Sequence, residues 1–248
     1  MTLVVATAVT GYLAEVHWRL PFAVYLLPLI SLVLSAYLKK DAASVTIKQA
    51  AIIPPIQSTP VISGKYGIHI RHLVQLMLFY GLVTYVVLAV TFNLPFLMEA
   101  HHFSSGNSGL MISLFFLAIM APGFMLDSLV KLLGNKTKLY SLLAIAIGLL
   151  LIWISPTEWL IVPGCILVGL GYGIIQPLIY DKTVDTAIPQ KTTLALAFVM
   201  VMNYLAILLS PFITDFFQWI FHTGSQEFPF IFNLLITVGT FFWAYRCR

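Results

Sequence analysis

LVQLMLFYGLVTYVVLAVTFNLPFLM, residues 73–98, runs for twenty-six residues without an Asp, Glu, Lys or Arg. As an α-helix it would rise ~39 Å, enough to cross a hydrocarbon core of ~30 Å. Its Leu, Val and Phe lack the strict alternation of a barrel strand, so a helical span fits it best. The rest of the chain repeats this texture. Of 248 residues, 60% are hydrophobic and 9% charged, against roughly 25% charged in a soluble domain. The class is therefore integral membrane protein.

Six more apolar segments have crossing length, at 20–38, 108–128, 139–154, 159–180, 193–214 and 229–245. Residues 1–14 differ: as a helix they would rise only ~21 Å, which falls short of the core. The fold expected is all-α integral membrane, with seven full transmembrane helices and a short N-terminal helix stub packed beside 20–38. Residues 1–14 contain no Lys or Arg, whereas a secretory signal peptide opens on a basic stretch.

Charge sets the orientation. Lys39, Lys40, Lys48, Lys65 and Arg71 flank one long loop. Lys131, Lys136, Lys138, Lys182, Lys191, Arg246 and Arg248 fall on alternate connections after it, hence on the same side. Arg19, Glu15, Glu99, Glu158 and Glu227 fall on the other. The positive-inside rule makes the long loop and the C-terminus cytoplasmic, in a cell (inner or plasma) membrane. The loop carries Pro54, Pro55, Pro60 and Gly64 and reads as a linker, 39–72, between a segment 1–38 and a bundle 73–248.

The net charge of +4 does not indicate nucleic acid, because the basic residues are dispersed among loops. Cys165 lies in an apolar run and Cys247 is penultimate, without metal-ligand spacing. Glu99, His101 and His102 invite a metal site, but adjacent histidines chelate poorly and no fourth ligand is evident, so a solvated loop is expected. No nucleophile elbow, phosphate loop or catalytic carboxylate pair occurs; neither an enzyme nor a cofactor is expected.

Three stretches resemble transporters of the major facilitator superfamily, which join two six-helix halves by a cytoplasmic loop. GYLAEVHWRLPF, residues 11–22, is similar to the family's turn between its fifth and sixth spans. GFMLDSLVKLLGNK, 123–136, resembles the second-half copy of its cytoplasmic loop motif, and LVGLGYGIIQPLIY, 167–180, its Gly-rich tenth span. By texture the drug/proton antiporters are the nearest group. Of their fifth-span motif only Gly11 is matched, with Ala6, Thr7 and Thr10 where Gly, Pro and Gly would stand.

The resemblance implies that 1–38 corresponds to the last two spans of a first half, the first of them cut to a stub. Residues 73–248 correspond to a complete second six-helix bundle. A working machine would then need the absent bundle, from another polypeptide or a second copy. Secondary transport by alternating access, with efflux of small organic or drug-like molecules, is the implied function. The alternative is a truncated, non-transporting remnant or a membrane interaction protein.

The resemblance also points to residues. Gly123, Asp127 and Lys131 match the loop motif, implying a gating role, although Ser128, Val130 and Leu132 depart from it. The bland account of Asp127 and Lys131 is solvated interfacial charge. Gly169 and Gly173 form a G-x-x-x-G pair suited to helix packing. No span carries a charge in its depth, where an ion site would be expected. The neutral candidates for lining a substrate cavity are Tyr85, Asn93, Gln176, Asn203 and Tyr204. Their alternative is ordinary interhelical hydrogen bonding. Expected partners are the lipid bilayer and a small-molecule substrate.

Overall fold

A computed structural model describes residues 2–17, 19–22, 70–155, 157–188 and 191–246. Seven helices occur among them: α1 Thr2–Val16, α2 Ile70–Ala100, α3 Ser105–Leu133, α4 Thr137–Ile154, α5 Glu158–Thr186, α6 Thr192–Ile220 and α7 Phe228–Arg246. No strand occurs among the described residues. Lipid offers no partner to a backbone N–H or C=O, so each apolar segment satisfies its own within a helix. Six helices are long and apolar enough to cross a membrane. The expected span at 20–38 falls almost wholly outside the described residues, as does the linker up to residue 69.

The helices outrun the apolar segments. α3, α5 and α6 each hold 29 residues, ~43 Å of rise. Apolar content marks only the lipid-facing length, while the backbone ladder continues into polar turns. α2 starts at Ile70, so the last three residues assigned to the linker are helical. The span expected at 108–128 runs on to Leu133, so Lys131 is helical along with Gly123 and Asp127, and the connection is a single 3-10 turn, Gly134–Lys136. No Pro or Gly interrupts 124–133, so nothing stops the helix before Gly134, whose φ of 51° suits glycine. The N-terminus of α3 is capped by the Ser104 hydroxyl, which accepts the Asn107 N–H at 3.2 Å.

α1 holds 15 residues, ~22 Å, and packs against α3. An added Cβ at Gly11 would lie 2.9 Å from the Gly109 Cα, so the two backbones are nearly in contact. Thr7 and Ser113 share a hydrogen bond of 2.7 Å along the same seam. One turn past Gly11 the Glu15 carboxylate accepts the Gly106 N–H at 3.0 Å. A negative group here favours the N-terminal end of the α3 dipole.

α5 is the centre of the bundle, packed against α2, α3, α4 and α6. Small residues on two of its faces allow this. Gly169 and Gly173 meet the backbone of α3 at Phe115 and Ile119, whereas Gly164 and Gly171 meet α4 at Gly148 and Ser141. Removing Cβ atoms lets helices approach until main-chain atoms touch. The surrounding core includes Leu94, Leu97, Phe115, Leu149, Cys165 and Phe230, all buried.

The bundle has two chemically distinct ends. At one, Asn107 Nδ2 donates to both Glu158 oxygens at 3.0 and 2.9 Å, beside the Glu15 contact. At the other, His72, Lys138, Lys182 and Trp243 surround a single cavity. Neighbouring helices therefore alternate in direction.

Candidate functional site

Midway along α2, Tyr80 and Thr84 stand one turn apart on a common face. On α5, Tyr172, Gln176 and Tyr180 repeat every fourth residue. Asn203 joins them from α6. A hydroxyl or amide in an apolar interior is costly unless it finds a partner, and these six residues supply partners for one another. The Thr84 hydroxyl donates to Asn203 Oδ1 at 2.8 Å and pairs with the Tyr172 hydroxyl at 3.3 Å. The Tyr80 and Tyr180 hydroxyls are 2.9 Å apart, and Gln176 Nε2 donates to Tyr180 at 3.5 Å.

Ring geometry reinforces the network. Tyr80 stacks on Tyr172, with centroids 6.5 Å apart and planes at 9°. It meets Tyr180 edge-on at 5.7 Å and 75°. Both arrangements suit the ring quadrupole. Tyr80 is fully buried, while Tyr172, Gln176, Tyr180 and Asn203 are partly accessible. The site thus has a fixed aromatic back and a neutral polar front. Its six side chains carry no formal charge.

Of the five cavity candidates, Gln176 and Asn203 lie in this network. Tyr85 is buried one residue past Thr84 and its hydroxyl sits 3.4 Å from that of Thr214, a separate tie between α2 and α6. Asn93 is nine residues beyond Thr84, ~14 Å along α2, and half-buried. Tyr204 turns away from the bundle with 67% of its surface exposed. Tyr80, Thr84, Tyr172 and Tyr180 escaped the sequence reading, although their four-residue spacing within apolar helices was a usable signal.

The loop-motif residues lie on α3, whereas the network is drawn from α2, α5 and α6. At Gly123 an added Cβ would meet nothing within 4 Å among the described residues. Lys131 is exposed on α3, and the Asp127 side chain lies outside the described residues. Among the described residues no group of three His, Cys, Asp or Glu could hold a metal ion. His101 stacks on Phe103 at 5.8 Å.

The protein family described as Major Facilitator Superfamily matches this chain over residues 1–211. No curated protein matches it.

Proposed function

The chain belongs to the major facilitator superfamily, and from that premise we propose that it serves secondary transport of small, neutral or amphipathic organic molecules. The family is one of membrane transporters, and the protein is multi-pass. Efflux of drug-like molecules by alternating access is the finer reading. The observation that carries it is the uncharged tyrosine–amide network tying α2, α5 and α6 together at mid-helix. Aromatic faces with neutral donors and acceptors suit bulky ligands of mixed polarity.

Gln176 and Asn203 are the residues proposed to touch substrate. Alternating access needs a second bundle, and α6 offers it a face. The buried residues of α6 are Ala195, Val199, Ser210 and Thr214, a narrow stripe. Phe198, Val201, Tyr204, Leu208 and Phe212 are exposed on the rest. The basic end and the C-terminus are placed on the cytoplasmic side of the cell membrane by the positive-inside rule.

A second reading, a non-transporting membrane interaction protein, draws on the distribution of charge. Among the described residues every Asp, Glu, Lys and Arg of α2–α7 lies roughly 11 Å or more from its helix midpoint. Among the described residues no Asp, Glu, Lys or Arg of these helices lies at mid-helix depth.

Uptake or efflux of an aromatic dye by proteoliposomes holding the whole protein separates the two readings. Transport should occur, and Asn203→Ala and Gln176→Ala should each weaken dye binding about fivefold, the worth of one hydrogen bond. Dye movement no faster than in empty liposomes, or indifferent to both substitutions, refutes the transport reading.

A further inference from the structure

At the basic end of the bundle, α2, α4, α5 and α7 enclose a cavity of about 280 Å³. Its rim is polar, formed by His72, Lys138, Lys182 and Asp185. Its inner wall is apolar, formed by Phe79, Ile175, Ile179 and Trp243. From Lys182 down to Ile175 is seven residues of α5, ~10 Å of depth. The volume would hold roughly nine waters at ~30 Å³ each, but an apolar wall gives water few partners.

This is a different face from the tyrosine network. Ile175 and Gln176 are consecutive on α5, hence turned about 100° apart. The same holds on α2 for Phe79, in the cavity wall, and Tyr80, in the network. The cavity is therefore a second feature of the same two helices.

Charge selects the occupant. Two helices begin at this rim and two end there, so their dipoles offset one another. The side chains decide: among the lining residues two lysines stand against one aspartate. Lys138 stands in the first turn of α4 and Lys182 in the last two turns of α5. Both therefore sit near the boundary of the hydrocarbon layer, where lipid phosphates lie.

We propose that this cavity binds an anionic phospholipid from the leaflet at the basic end. The lipid phosphate rests at Lys138 and Lys182, and the first part of one acyl chain follows Phe79 and Trp243 inward. Such a lipid touches the ends of four helices at once and fills space that protein atoms leave empty. Inositol, glycerol or serine headgroups share this chemistry, as does a dissolved phosphate ester; the apolar wall favours the lipid. The proposal rests on the membrane placement and not on the transport reading.

Native mass spectrometry of the whole protein tests it, using phosphatidylglycerol and phosphatidylcholine with identical acyl chains. Phosphatidylglycerol should be retained as one adduct, at least tenfold more tightly than phosphatidylcholine. Lys138→Gln and Lys182→Gln should each weaken retention about fivefold, the worth of one juxtamembrane lysine. Ala244→Trp, which fills the cavity while keeping both lysines, should abolish the adduct. Equal retention of the two lipids, or full retention by these variants with helicity intact, overturns the proposal. Displacement of the lipid by millimolar inorganic phosphate or glycerol phosphate also overturns it, because the ligand would then be a soluble anion.

Discussion

Gly169→Ala adds one methyl group where α5 crosses α3. That carbon would lie 2.6 Å from the Phe115 carbonyl oxygen, 2.8 Å from the Ala118 Cβ and 3.3 Å from the Ile119 nitrogen. Ordinary contact begins near 3.4 Å, so the closest pair must separate by about 0.8 Å. The oxygen and nitrogen are backbone, and no rotamer change relieves them. A gap of that size forfeits a quarter to a half of each dispersion contact beside it, at ~0.1–0.2 kcal/mol per atom pair. With roughly twenty pairs affected the loss is about 0.5–2 kcal/mol, which reaches into the usual range for overpacking. Gly123→Ala is the internal control. It lies on α3, and its new carbon would meet nothing within 4 Å among the described residues. Replacing a helical glycine by alanine should there stabilise by up to ~1 kcal/mol. Thermal unfolding of the purified protein in detergent, followed by far-ultraviolet circular dichroism, reads both. Gly169→Ala should lower Tm by roughly 1–8 °C, and Gly123→Ala should leave it unchanged or raised. Equal shifts in the two variants would refute the claim that α5 is held by main-chain contact at its glycines.

Tyr180→Phe removes an oxygen bonded to both Tyr80 and Gln176. It should cost about 0.6–1.5 kcal/mol in denaturant unfolding. Adding Tyr80→Phe in that background should cost measurably less than in the parent, because the two hydroxyls are partners. Glu15→Ala withdraws the carboxylate that accepts the Gly106 N–H, which should destabilise the α1–α3 seam by about 1 kcal/mol. Faster hydrogen exchange at Gly106, largely restored in Glu15→Gln, is the expected signature.

Much of the fold was legible because its signals are additive along the chain. Hydropathy over 73–98 locates α2 within three residues at either end. Residues 1–14 are short by counting alone, and α1 ends at Val16. The site was only half legible. Gln176 and Asn203 stand out as amides in apolar segments, but Tyr204 shares that neighbourhood and faces outward. Sequence proximity does not reveal rotation about a helix axis, which changes by 100° per residue.

The sequence by itself determined a helical membrane protein, the position of its described spans and the separation of basic from acidic ends. Length, hydrophobicity and charge are properties of segments, and lipid enforces helix wherever they qualify. Only the tertiary structure decided which helices touch. It paired α1 with α3 through Gly11 and Gly109 and gave Gly123 no such contact among the described residues, although all three are the same residue type. It joined Thr84 to Asn203 across 119 positions of chain. Contacts of this kind depend on how whole helices rotate and settle against one another, and no local stretch of sequence encodes that alone.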